Sequence, residues 1–544
     1  MSSNAAEIPG SVSSSQSVAR SAGVTSIAVL ASRITGLVRE ITLAHFFGAT
    51  AAYDAYLLGF RIPNLTRDLF AEGALSSAFV PTFVEAMQKK SREDAAHLAN
   101  LVATAIILVV GTLCALGMIF APEMVDLLAP GFRQIEGKHE LAVRLTRIMC
   151  PFLLVVALAA QAMGILNACN QFALPALSSS MFNVGSLVVG LTTGFLAGPY
   201  LGIPAIEGMA WGVLAGGIIQ LSAQVPALVR SGFVFRPAMD WDHPGLRQIL
   251  RLMGPAILGN AAVQINVMVN TSFASEINGG MSWLGYAFRL MQLPLGLFGV
   301  AIGGATLPAI SRSAARGDMD DFRRTLSRSL GLVFLLTIPS SAGLFVLGPS
   351  IIGALFERGE FTSYDTQQTA LALGWFAIGL AGYSALKVLV PAFYALKDAR
   401  TPMFVSLASI AINYLVVSIM TTQPGFGLAG LAMSTSVVAI SGSLILFSIL
   451  KGRMTGIYGR ALLASVLRIL VAAAAMSAAV WATSWFVGSR IEPGRLRYLV
   501  DLALSIPCGL AVYYFTCRLL GVEEMALAAD ALERPLARLR ARLR

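Results

Sequence analysis

Apolar runs of roughly 17–25 residues, the length that crosses about 30 Å of hydrocarbon, recur along the whole chain. Such runs have few structural options, because lipid offers no water to satisfy backbone N–H and C=O groups and only internally bonded helices or closed barrels can span it. Fourteen runs are legible, near 21–44, 50–86, 97–120, 142–168, 172–197, 205–229, 249–275, 281–310, 326–348, 368–395, 402–421, 427–450, 461–487 and 497–519. Only 12% of the 544 residues are charged and 56% are hydrophobic, with a mean hydropathy of +0.73, which excludes an ordinary soluble chain. The expected fold is an all-α polytopic membrane protein with about 14 transmembrane helices. The second run is long enough to bend, and Pro63 supplies a cause.

The Ser- and Ala-rich stretch 1–20 lacks the charged start and short apolar core of a signal peptide, and is expected to be a disordered cytoplasmic tail. Orientation follows from the loops, since cytoplasmic loops are enriched in Lys and Arg. With the N-terminus inside, 25 loop and helix-end cations fall inside and 8 outside, so both termini are expected in the cytoplasm. The net charge of +10 is then mostly topology, and no nucleic-acid partner is implied. Cys114, Cys150, Cys169, Cys508 and Cys517 lie in or at the ends of apolar runs without paired spacing, and the four histidines are scattered, so neither a disulfide nor a metal site is expected.

A duplication organises the chain. Displacing the sequence on itself by about 227 residues brings Pro81 onto Pro308, Pro122 onto Pro349 and Pro175 onto Pro402, while Phe60-Arg61 matches Phe288-Arg289 one residue off. Each unit holds six helices, and an even number of crossings gives the units the same orientation, related by an axis along the membrane normal. The expected organisation is an N-lobe over 21–231, a C-lobe over 245–451, two additional helices over 460–520, and a basic amphipathic tail over 521–544 on the cytoplasmic membrane surface. A central cavity between the two lobes is the natural expectation.

Functional signal comes from charges inside the runs. Arg33, Arg39, Arg61, Arg67, Arg289 and Lys387 lie within expected helices, and on insertion scales six such residues facing lipid would cost roughly 15–20 kcal/mol. They are expected to line a wet cavity or to pair. Asp54 and Arg61 are seven apart and share a helix face, Asp68 and Glu72 are four apart, and positive charge is left over. Gly36 lies between Arg33 and Arg39, and Pro63 between Arg61 and Arg67, where a helix can bend and open backbone groups. Excess guanidinium in a low-dielectric cavity suits an oligo-anionic headgroup, because each planar fork binds phosphate bidentately. Convergent acid, base or metal groups are missing from the pattern, so a transporter is expected and not an enzyme.

The stretch Ser32-Arg33-Ile34-Thr35-Gly36-Leu37-Val38-Arg39-Glu40, followed by Phe47-Gly48-Ala49, Asp54-Ala55-Tyr56 and Arg61-Ile62-Pro63-Asn64-Leu65-Thr66-Arg67, resembles the opening helices of the MurJ (MviN) family. Tyr286-Ala287-Phe288-Arg289 and Lys387-Val388-Leu389-Val390-Pro391, with Asp398 and Thr401-Pro402, resemble its eighth and tenth helices. The resemblance implies a MATE-like MOP-superfamily fold, two six-helix lobes in pseudo-two-fold repeat plus two helices that form a groove for a polyprenyl tail. It implies flipping of lipid II, the undecaprenyl-diphosphate-linked peptidoglycan precursor, across the bacterial inner membrane, with membrane lipids and the cell-wall synthesis machinery as partners. Carried over by position, Arg33, Arg39, Arg67 and Arg289 match cargo-binding arginines, and Asp54, Asn64, Glu72 and Ser282 supporting positions; Arg61 and Lys387 join the supporting set from the charge pattern.

The family implies no cofactor and a drive from membrane potential, and leaves the bound ion open. Phe288 and Gln292 stand where some members carry a carboxylate beside the eighth-helix arginine, and Val417 follows Asn413 by one turn where a proposed sodium site needs a carboxylate. Two other readings share the fold: a flippase for another polyprenyl-diphosphate-linked glycan, and a MATE-type multidrug exporter, whose cationic cargo calls for an acidic cavity. The topology has a direct test. In a cysteine-free background, single cysteines at Ser91 and Thr455 should react with an impermeant maleimide only from the cytoplasm, and those at Gly137 and Gly494 only from outside. Labelling at Gly494 from the cytoplasm alone would remove the fourteen-helix topology.

Overall fold

The computed structural model describes residues 14–67, 75–89, 91–423, 425–454 and 459–525. Among them every extended element is a helix, and the one β-bridge joins Arg358 to Phe361. Eleven helical segments are long and apolar enough to cross a membrane, beginning with Arg92–Ile119 and ending with Arg495–Leu519. The expected runs near 21–44, 50–86 and 249–275 are also helical where described, but are not among those eleven. The chain divides into two compact units.

The first unit takes in the chain up to Leu43, Ala55–Leu127 and Ile135–Gln264. It holds most of α1 (Ser14–Phe47) and α2 (Ala51–Arg67), then α3 (Ser76–Lys89), α4 (Arg92–Ile119), α5 (Ala121–Leu128), α6 (Lys138–Met149), α7 (Phe152–Ala168), α8 (Ala173–Leu191), α9 (Gly198–Leu201), α10 (Ala205–Arg230) and the first part of α11 (Pro244–Ser275). α1 starts at Ser14, so the tail expected over 1–20 is helical in its last seven residues. It stays helical through Gly36, and α2 stays helical through Pro63. Pro63 has no amide hydrogen to donate within α2.

α8 and α10 meet along glycine. A Cβ on Gly208 would lie 2.3 Å from Gly194 Cα and one on Gly212 2.3 Å from Ser186 O, so backbones touch where any side chain would separate them. Lipid tails are as apolar as leucine, and close van der Waals contact therefore takes over from the hydrophobic effect in holding such helices together.

The second unit comprises Ala44–Asp54, Leu128–Gln134 and Ile265–Arg544, described as far as 525. It contains the rest of α11, then α12 (Gly280–Pro294), α13 (Ala301–Ala315), α14 (Met319–Phe356), α15 (Ser363–Ala395), α16 (Arg400–Thr421), α17 (Gly427–Arg453), α18 (Gly459–Arg490) and α19 (Arg495–Leu519). Phe322, Leu326 and Leu330 of α14 pack with Leu389 and Phe393 of α15 and Leu446 of α17. Ser91 and Thr362 open α4 and α15 with reciprocal capping boxes. The basic tail expected over 521–544 lies outside the described residues beyond 525.

α18 and α19 pack on each other and on α14, with Leu335, Ile469, Met476 and Tyr513 in their shared core. Within this apolar bundle sits one buried carboxylate, Asp501, 2% exposed. Ser350 of α14 and Ser484 of α18 donate to its Oδ2, and Ser505 of α19 to its Oδ1 at 2.7 Å. Ser350, Ser484 and Asp501 each lie six residues from their helix end, about 9 Å along the axis, so the three helices are tied at one level. Asp501→Ala should strand three hydroxyls and loosen α19, with a loss of about 1–3 kcal/mol. A thermal melt of the purified protein that matches wild type would sink the tie.

Candidate functional site

In the first unit the arginine of interest is Arg39, 7% exposed on α1. Its guanidinium carbon lies 5.4 Å from the ring centre of Phe182 on α8 and 5.8 Å from that of Phe60 on α2. Aromatic faces attract a desolvated cation, so the two rings hold the fork in place. Nη2 donates to Oε1 of Glu40 at 3.0 Å, a carboxylate itself 4% exposed. Nε and Nη1 are buried with no hydrogen-bond partner among the described residues. A guanidinium carries five donors, and here those on two of its three nitrogens are unused. The arrangement can accept an anion in the plane of the fork.

The neighbours of Arg39 on the same motif are arranged differently. Arg33 is exposed on α1, and Arg61 and Arg67 are half-buried on α2 with further interactions of their own. Asn64 donates from Nδ2 to Phe60 O at 2.8 Å, while its Oδ1 is buried without a donor. Gly36 brings α8 close, since a Cβ there would lie 3.4 Å from Asn183 Nδ2, and that amide donates to Ser32 O at 3.2 Å. Glu72 lies outside the described residues.

In the second unit Asp54 and Ser282 come together. Asp54 is fully buried; its Oδ2 accepts from Gly279 N at 2.8 Å and its Oδ1 from Ser282 N at 3.0 Å and Ser282 Oγ at 2.6 Å. Gly279 is the N-cap of α12 with φ +82°, a conformation that glycine adopts without strain, and a distant carboxylate caps the helix in place of the usual N-cap side chain. Around this cap Trp283 donates to Asp365 Oδ1 at 2.8 Å, Tyr286 donates to Gly48 O at 3.2 Å, and Tyr53 stacks on Tyr286. Arg289, two turns after Ser282 on α12, is exposed and has further interactions of its own; Lys387 is exposed on α15.

A second polar cluster joins α11, α16 and α17. Asn266 donates to Ser409 Oγ at 2.9 Å, Asn413 to Asn270 Oδ1 at 3.0 Å, and Asn270 to Thr435 Oγ1 at 3.0 Å. All these donors and acceptors are neutral, and Val417, one turn from Asn413, is buried. A cation here would meet no formal negative charge, so the cluster does not fit a sodium site of the carboxylate type.

The sequence profile described as "Lipid II flippase MurJ" matches residues 43–496. The chain belongs to that family. It is 36% identical to the lipid II flippase MurJ of Burkholderia cenocepacia over 79% of this chain and 82% of that one. It is 34% identical to the probable lipid II flippase MurJ of Bdellovibrio bacteriovorus over 94% and 96% of the two chains. A solved structure of lipid II flippase MurJ in an inward closed conformation superposes with a TM-score of 0.74 at 27% identity, over 91% of this chain and 99% of that one. An inward-facing MATE transporter of the MOP superfamily shares the fold, with a TM-score of 0.61 at 15% identity over 79% and 94%. This MurJ-family chain is thus a polytopic membrane protein that shares its fold with a MATE transporter.

Position in the motif does not by itself separate binding residues from scaffold. Phe60, Phe182, Asn183 and Glu40 surround the arginine motif although charge spacing singled out none of them. A signal existed for Glu40 alone, adjacent to Arg39, but helix-face rules look for partners three or four residues away. Asp54 is predicted to act through the α12 cap. Asp54→Ala should lower thermal stability by about 2–3 kcal/mol, and Ser282→Ala by about 1 kcal/mol. Equal melting of Asp54→Ala and wild type in purified samples would refute the cap.

Proposed function

We propose that this protein flips lipid II from the cytoplasmic to the periplasmic leaflet by alternating access, carrying the diphosphate past the arginines of its motif. Membership of the MurJ family supports the cargo, and Arg39 supports the chemistry. A buried fork with donors on two nitrogens free, flanked by two rings and one carboxylate, is built to take a phosphate oxygen pair as it passes. Arg33, Arg67 and Arg289 are assigned to the same diphosphate, with Asp54, Asn64, Glu72 and Ser282 supporting them and Arg61 and Lys387 balancing charge.

The finer architecture belongs to the same proposal: fourteen crossings, two six-helix lobes, both termini in the cytoplasm of a bacterial inner membrane, and α18 and α19 forming a groove for the polyprenyl tail. Membrane potential acting on the cargo and the cationic pathway supplies the drive. Sodium is not invoked, because the cluster around Asn413 is neutral. A multidrug exporter is the poorer reading, since an arginine cavity repels cationic drugs. Lipid II is preferred to another polyprenyl-diphosphate glycan on the strength of the family alone.

The test separates binding from folding. In a flippase-depleted strain, Arg39→Ala, Arg67→Ala and Arg289→Ala should fail to complement at normal membrane abundance, and lysine at each should be impaired less, since charge remains but the fork is lost. Arg61→Lys should complement. Full function of Arg39→Ala and Arg289→Ala at normal abundance would sink the mechanism, and function falling only in step with abundance would make these arginines structural.

A further inference from the structure

Beside α4 in the first unit runs an apolar groove with an empty volume of about 660 Å³ counted to its open side. Val102, Ile106 and Val110 of α4, Leu153 of α7, and Leu246 and Ile249 of α11 form its walls, and no polar surface lines it. Val109 and Leu250 on its edges are half exposed. An enclosed apolar cavity can stay empty, but one open on the side of a membrane protein faces acyl chains.

The loop 231–243 shapes one end of this groove. Its backbone is stitched to α4, Arg236 N donating to Asn100 Oδ1 at 3.1 Å and Ala238 N to Thr104 Oγ1 at 3.2 Å. Asn100 and Thr104 lie eight and twelve residues into α4, where the polar first turns give way to the apolar run. Met239 and Trp241 therefore stand exposed at the polar–apolar boundary, and Trp241 also lines the groove. Tryptophan at that level is an interfacial anchor.

α11 then adds charge. Leu246 and Leu250 line the groove, four residues apart; Arg247 and Arg251 form the adjacent stripe of the same helix, both exposed. Arg247 pairs with Asp242, and Arg251 has no ion pair among the described residues. Two guanidinium groups and one carboxylate thus stand on the helix turns next to those that line the apolar slot, and an indole lines it.

We propose that this groove binds an anionic phospholipid, one acyl chain lying between α4 and α11 and the phosphate held by Arg247 and Arg251. The occupant is chosen by charge: a zwitterionic lipid brings its own cation to the arginines, whereas phosphatidylglycerol brings an uncompensated phosphate. None of the arginines assigned to cargo lines the groove. It does not depend on the flippase reading, because its readout is lipid retention.

The test uses the full chain, purified and exchanged into mixed micelles of phosphatidylglycerol and phosphatidylcholine, with bound lipid counted by native mass spectrometry. Wild type should retain phosphatidylglycerol in preference, and the R247Q/R251Q double variant should lose that preference by about fivefold per arginine. Ala105, on the groove wall, replaced by phenylalanine should lower phosphatidylglycerol retention with both arginines intact. Both exchanged arginines are exposed, so the double variant should melt as wild type does. Equal retention of the two lipids by wild type, or undiminished phosphatidylglycerol on the double variant, would overturn the headgroup site. Undiminished retention by Ala105→Phe would overturn the acyl slot.

Discussion

Hydrocarbon offers no hydrogen bonds, and every polar group in this chain that leaves water has to find its partner in the protein. Helices answer this for the backbone, and side chains need individual solutions. Asp501 takes three serine hydroxyls from three helices. Asp54 takes two backbone amides and a hydroxyl. Gln161 of α7 donates to Ala99 O of α4 at 2.8 Å, and the asparagines of α11 and α16 bond one another. These pairs join different helices, so satisfying the polar atoms also fixes which helices are neighbours. Specific association in lipid draws on such contacts together with small-residue packing, of which the glycine seam of α8 and α10 is the clearest instance.

The same constraint governs how much of the architecture was legible beforehand. Run length is set by bilayer thickness, and the expected spans from 205–229 and from 368–395 to 497–519 fall within five residues of the helices observed. The short helix Ala121–Leu128 was not foreseen, because eight residues carry too little pattern to stand out from a loop. The interruption between α6 and α7 at Cys150–Pro151 was also missed inside a single apolar run. Hydropathy reads a crossing and is blind to a break within it. Gly36 and Pro63 do not end their helices, for a related reason: a residue that permits a break does not impose one.

Site residues were legible as an excess of charge, and their partners were not. The Arg33–Glu40 motif marks Arg39 at once, but its ring contacts come from residues 60 and 182, and nothing in a local pattern points that far. Asp54 reads from the sequence as the companion of Arg61, seven residues on. Its carboxylate also caps a helix more than two hundred residues downstream, which no spacing rule could supply. Charge arithmetic identifies residues that must have a partner without identifying the partner.

Asp54 and Arg39 make the difference concrete. Both are motif residues and both are buried. Both Asp54 oxygens accept close donors, so its charge is spent within the fold, and its influence on function must pass through the position of α12. Arg39 is held by one carboxylate and two ring faces, none of which uses the donors of Nε and Nη1. Among the described residues Nε and Nη1 have no acceptor, so Arg39 keeps donors that Asp54, whose oxygens are engaged, does not match. A structural arginine is expected to have exhausted its donors, and this one has not. The hydrogen-bond accounting of each buried charge therefore separates a carboxylate whose acceptors are filled from an arginine whose donors are not, and it does so on physical grounds independent of the family.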